Sequence, residues 1–177
     1  GDEEENPALG CRGIRASLIR QDLFRQQLRA VLRAAAFGPV AVMFPMIASL
    51  WEVREAKALL EACRAELEAQ GVAAGPVEVG IMVETPAAVV MAEELAEEAD
   101  FFSIGTNDLT QYTLAADRQN PGLERFCDPR HPAVLRMIRH TAQAAHRHGC
   151  QVGICGELGA DPALAEVYQK QFQLYRR

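Results

Sequence analysis

Apolar positions along this chain change period several times, alternating between helical and strand spacing. Over 16–36 Leu18, Leu23, Phe24, Leu28, Val31 and Leu32 recur near every third or fourth residue, with arginines on the other face, which predicts a helix closed by Gly38 and Pro39. A short apolar run at 40–44 predicts a first strand. Ser49, with Glu52 three positions on, reads as the start of a helix that reaches Glu68 and stops at Gly71. A second strand is expected at 77–83, a helix from Pro86 to about Glu98, and a third strand at 101–104. A short helix at 108–116, a loop rich in Pro, Asp and Asn at 117–131, a helix from Pro132 to His148 and a fourth strand at 151–155 complete the pattern. Strands separated by long helical connections can pair in parallel, so the fold class is α/β.

Each strand breaks into chemistry at its C-terminal end. VMFPM at 42–46, IMVETP at 81–86, FFSIGTNDLTQY at 101–112 and VGICGE at 152–157 pass from apolar residues to carboxylates, an amide or a thiol. Parallel α/β folds place their active sites at that end of the sheet. Glu84 and Asp108 each follow an apolar strand and precede a helix, so Glu84 alone reads equally as a helix-capping carboxylate, and Asp108 alone reads first as an N-cap. As a pair on successive strand ends they suit Mg²⁺ or Mn²⁺, hard ions that complete their shell with water and substrate oxygens. Asn107 adds an amide, and Arg118 and Arg12 are candidate anion clamps. Arg118 could instead pair with Asp117 or Asp128. Cys155 is either an inert packing residue or a general acid. The four histidines, His131, His140, His146 and His148, read as surface or capping residues.

Composition narrows the partners. With 177 residues, 49% hydrophobic, the chain can bury one sizeable core. A net charge of −6 leaves no basic face for a nucleic-acid backbone, though a small anion can still be held locally. No apolar stretch is long enough to span a membrane, and GDEEENPALG lacks the features of a secretory signal, so a cytoplasmic location is expected. The five cysteines form no C-x-x-C pair and are expected to be free thiols.

Taken together, SIGTNDLTQYTLAADR at 103–118, GIMVETPAA at 80–88, VMFPMI at 42–47, NPALGCRGIR at 6–15 and GICGELGADP at 153–162 resemble the phosphoenolpyruvate-binding barrel of enzyme I of the bacterial sugar phosphotransferase system. Pyruvate phosphate dikinase and phosphoenolpyruvate synthase belong to the same wider group. Thr106, followed by the Gln111-Tyr112-Thr113-Leu114 ending, favours enzyme I among them. The resemblance implies part of a (β/α)₈ barrel over 1–165, truncated at both ends, and a tail at 166–177 that matches nothing in the family. It implies Mg²⁺ on Glu84 and Asp108, phosphoenolpyruvate on Asn107, Asp108, Arg118 and Arg12, and Cys155 as proton donor to the enolate carbon. It further implies pyruvate as product, phosphoryl transfer to a histidine on a separate domain and on to the carrier HPr, and a homodimer. On this reading the isolated fragment is expected to be inactive in transfer to HPr. A dikinase- or synthase-type barrel and a non-catalytic dimerisation fragment are the alternatives. Cys11 stands where the family usually carries an aromatic, which removes a packing or stacking ring near Arg12.

Overall fold

The computed structural model describes residues 4–156 and the backbone of 175–176. Its framework is a parallel sheet in which β1 (Val40–Phe44), β2 (Val77–Val83), β3 (Phe101–Gly105), β4 (Gln151–Cys155) and the two-residue β5 (Tyr175–Arg176) lie side by side in chain order. Neighbours in sequence are therefore neighbours in space, with no reversal of strand order. The strands at 40–44, 77–83 and 151–155 have the bounds that the sequence predicts, and β3 runs one residue further, through Gly105. The fifth strand lies in the segment read from sequence as an unmatched tail; the rest of that tail lies outside the described residues.

Helices alternate with the strands: α1 (Ile14–Ile19), α2 (Gln21–Ala34), α3 (Leu50–Ala69), α4 (Pro86–Val90), α5 (Ala92–Glu98), α6 (Thr106–Leu114) and α7 (Pro132–Arg147). Two of the expected helices are broken. The pattern over 16–36 is split at Arg20, whose φ of −105° and ψ of 61° are not helical, and the helix from Pro86 is interrupted at Met91. Periodicity alone does not register one residue leaving the helical region, because the apolar stripe continues across the break. Within 117–131 a 3₁₀ turn forms at Pro121–Phe126, opened by the Asn120 side chain accepting from the Gly122 N–H.

Packing follows from these patterns. Helix α2 buries Phe24, Leu28 and Leu32 at four-residue spacing, and the Phe24 ring meets Phe44 of β1 edge-on at 6.0 Å. Helix α3 turns Val53, Ala56, Leu60, Cys63 and Leu67 inward, and the Glu52 carboxylate accepts from the Ala48 and Ser49 N–H groups at 2.7 and 2.8 Å. All five residues of β3 are buried, as expected of a central parallel strand covered on both faces. Phe102 is fully enclosed. We predict that Phe102→Ala costs about 3–5 kcal/mol of stability, read as a lower urea midpoint with an unchanged slope; a midpoint within experimental error of the wild type would show that β3 is not central to the core.

Candidate functional site

Strand register assembles the site before any side chain is considered. Val83 pairs with Ile104, and Gly105 pairs with Cys155. Glu84, one residue past Val83, thus comes level with Gly105 and Cys155 at the C-terminal edge of three adjacent strands. A methyl group on Gly105 would lie 2.9 Å from Cβ and Oε2 of Glu84, so glycine there is what admits the carboxylate. Threonine hydroxyls tie the loops together: Thr85 donates to the Ile47 carbonyl at 2.8 Å, and Thr106 donates to the Cys155 carbonyl at 2.9 Å.

Neither acidic residue is a helix cap. Thr85 takes that place on α4, its side chain accepting from the Ala88 N–H at 3.1 Å, and Gly105 holds the N-cap position of α6, which begins at Thr106 rather than at 108. Asp108 falls within the first turn of α6. Glu84 is only 4% exposed and accepts from the backbone N–H of Met46 at 2.7 Å. Met46 reaches it from a left-handed conformation, φ 59°, rare for a non-glycine residue. That residue, in the first strand-end loop, is a part of the site that sequence reasoning missed. Its only signal was its place in the VMFPM run, because the strain resides in the backbone.

The two carboxyls lie close enough to interact directly. Burial pushes the Glu84 pKa up to about 7; the Met46 N–H opposes this, and the charge and shared hydrogen bond of Asp108 add to it. Two guanidiniums converge on Asp108. Arg12 Nη2 lies 3.4 Å from Oδ2, and Arg118 Nε lies 3.8 Å from Oδ1. Arg118 is thus directed to Asp108, not to the flanking Asp117 or Asp128. Oδ1 of Asp108 is buried without a hydrogen-bond partner. A buried carboxylate oxygen with no donor, beside a second carboxylate that holds its proton to near neutrality, is a donor set that fits a hard divalent cation. Among the described residues no cluster of three or more His, Cys, Asp or Glu could hold a metal ion.

The remaining predicted residues surround this pair. Arg118 and Asn107 line a cavity of about 670 Å³ with Thr110 and Cys127, while Arg118 and Arg12 line another of about 500 Å³ with Asp108 and Gln111. Cys155 is half-buried, and its thiol donates to the Ile104 carbonyl at 3.3 Å. All five cysteines are free. His131 caps α7, its Nδ1 accepting from the Ala133 N–H at 3.1 Å, and His148 contacts Glu93 at 2.9 Å on the surface. No helix among the described residues is long and apolar enough to cross a membrane.

The raised Glu84 pKa has a definite sign. Between pH 4.5 and about 7 the folded chain keeps a proton that the unfolded chain has released, so the stability from this group is full below 4.5 and is lost as pH rises through 7. We predict that in EDTA the wild type loses stability relative to Glu84→Gln by on the order of 2 kcal/mol between pH 5 and pH 8. Parallel urea titrations check this, and a constant difference between the two proteins would contradict it.

Comparisons with known proteins bear on this geometry. A family model described as the PEP-binding domain of PEP-utilising enzymes matches residues 1–171. The phosphoenolpyruvate-protein phosphotransferase of Geobacillus stearothermophilus is 56% identical over 161 residues, covering 90% of this chain and 28% of that protein. The Haemophilus influenzae protein of the same name is 54% identical over 160 residues, covering 90% and 28%. The multiphosphoryl transfer protein of Rhodobacter capsulatus is 54% identical over 164 residues, covering 93% of this chain and 19% of its own. The chain therefore spans under a third of the length of these relatives. Among solved structures, a citrate lyase from Burkholderia xenovorans superposes with a TM-score of 0.65 at 27% identity, covering 86% of this chain and 48% of that one. An aldolase/citrate lyase family protein from Burkholderia cenocepacia shares the fold, with a TM-score of 0.60 at 21% identity, covering 84% and 60%.

Proposed function

This chain belongs to the PEP-utilising enzymes, as their PEP-binding domain, and on that footing we propose that it is the phosphoenolpyruvate- and Mg²⁺-binding part of a phosphoenolpyruvate-protein phosphotransferase. The observation that carries the reading is the buried Glu84 and Asp108 pair with both arginines converging on it. The consecutive strand order also supports a place in the wall of a (β/α)₈ barrel, since a doubly wound sheet would reverse direction at a switch point. Relatives named phosphotransferases at 54–56% identity favour this activity over dikinase, synthase or carbon–carbon cleavage chemistry.

Glu84 and Asp108 would hold the cation, which when bound offsets the negative charge gathered by the two carboxylates and the substrate. Arg118 and Arg12 would grip phosphate and carboxylate oxygens with donors in a planar fork. Asn107, at the start of α6, would donate its amide to the same anion while the helix N-terminus favours negative charge there. The reaction breaks the bridging P–O bond of phosphoenolpyruvate, forms a P–N bond on an acceptor histidine, and leaves enolpyruvate, whose methylene carbon takes a proton to give pyruvate. Cys155 carries a thiol hydrogen at the same strand edge and would donate that proton. The four histidines lie along α7 and at its two ends rather than at the strand ends, and the acceptor would come from another domain, from which the group passes to a carrier such as HPr. The reading sets this chemistry in the cytoplasm, in sugar uptake, with the barrel paired in a homodimer.

Isothermal calorimetry tests the proposal. Phosphoenolpyruvate is expected to bind in Mg²⁺ and to bind at least tenfold more weakly in EDTA. Arg118→Ala should weaken binding roughly tenfold to a hundredfold, the range for a lost charge-assisted hydrogen bond, and Glu84→Gln should remove the dependence on Mg²⁺. Binding unaffected by EDTA and by both substitutions would overturn the reading.

A further inference from the structure

Helix α6 does more than carry Asn107 and Asp108. Its next turn presents two adjacent side chains that reach the two arginines by separate routes. The Tyr112 hydroxyl accepts from Arg12 Nη1 at 3.1 Å and donates to the backbone carbonyl of Ala8. Gln111, 7% exposed, accepts through Oε1 from the backbone N–H of Arg118 at 3.0 Å.

Arg12 needs such a support. It lies in the link between the Pro7–Leu9 turn and α1, flanked by the exposed Cys11 and by Gly13 at φ 59°, and its side chain is 37% exposed. Cys11 offers no ring for the guanidinium to stack on. The approach to Asp108 at 3.4 Å is long for a charge-assisted bond, whereas the contact to Tyr112 is closer. Because the Tyr112 proton is committed to the Ala8 carbonyl, an oxygen lone pair is left facing Arg12. The hydroxyl therefore links the arginine to a backbone atom of its own loop and restricts the rotamers of a long, otherwise mobile side chain.

Gln111 serves the other arm. Ala115 turns the chain out of α6 at φ 51°, the Ala116 N–H returns to the Gln111 carbonyl at 3.2 Å, and the Gln111 side chain then holds the Arg118 N–H. One residue thus sets the exit path that aims Arg118 at Asp108.

We propose that Tyr112 and Gln111 are positioning residues that preset the Arg12 and Arg118 arms before substrate arrives. The inference rests on the phosphoenolpyruvate reading for its purpose, but the presetting itself can be measured without substrate. In the ligand-free chain the Arg12 guanidinium N–H resonances should be visible and protected in the wild type and lost to solvent exchange in Tyr112→Phe, which keeps the ring and the fold. In Mg²⁺, Tyr112→Phe should weaken phosphoenolpyruvate roughly threefold to tenfold, the worth of one hydrogen bond. The same substitution should add nothing in an Arg12→Ala background, since its effect passes through that arginine. Gln111→Leu should act in the same way through Arg118. Unchanged Arg12 resonances in Tyr112→Phe, or full additivity with Arg12→Ala, would overturn the proposal. A wild type with an ordered Arg12 that binds no phosphoenolpyruvate would overturn the substrate reading and with it the purpose assigned to the two residues.

Discussion

Two carboxyl groups share the apolar mouth of a parallel sheet, and the rest of the site is arranged around the cost of keeping them there. Glu84 is buried directly after the apolar run at 79–83 of β2, where water cannot offset its charge, and its neighbour is another acid. Three features hold this arrangement. The Met46 N–H is delivered from a backbone conformation that an ordinary residue seldom adopts, and two guanidiniums face Asp108, one from the start of the chain and one from just beyond α6. Without them the pair would be two buried like charges with little to oppose their repulsion.

That convergence is a consequence of parallel pairing. Helical connections return each strand in the same direction, so every strand delivers its first loop residue to one edge. The hydroxyls of Thr85 and Thr106 then bind each loop to its neighbour, and the absence of a side chain at Gly105 lets Glu84 stand against the next strand. The site is accordingly built on strand ends and on the first turns of helices, elements more rigid than free loops. Arg12 and Arg118 are the exceptions, and both are secured from α6.

What could be read from the sequence divides along the same line. The strands at 40–44, 77–83 and 151–155 were legible because their apolar runs end abruptly at Gly, Pro or charged residues. The acids were legible as a pair because each follows the end of one of two successive strands, Glu84 directly and Asp108 in the first turn of the helix that comes next. Met46 was not, since its contribution is a dihedral angle and an N–H, neither of which side-chain chemistry reports. The breaks at Arg20 and Met91 were hidden by apolar stripes that continue across them. Tyr112 and Gln111 were seen only as part of a family signature: the Tyr112 bond crosses 100 positions, and the Gln111 bond crosses the left-handed exit of α6 at Ala115, where helical spacing no longer fixes position.

Charge balance argues for how such a site would fill. Two carboxyls face two guanidiniums, so the site is close to neutral with both acids ionised and slightly positive while Glu84 keeps its proton. A divalent cation entering alone would meet two arginines already directed at Asp108, and a multiply negative phosphoester entering alone would meet the carboxylates. Together the two roughly cancel, and each supplies the partner that the other lacks: oxygens for the cation, counter-charge for the anion. The buried Oδ1 of Asp108, which accepts no hydrogen bond and meets Arg118 Nε only at 3.8 Å, is consistent with that filling, because such a lone pair gains most from a ligand that brings its own positive charge. Positioning the arginines in advance then serves a specific end, keeping the anion's half of the balance in place when both components arrive.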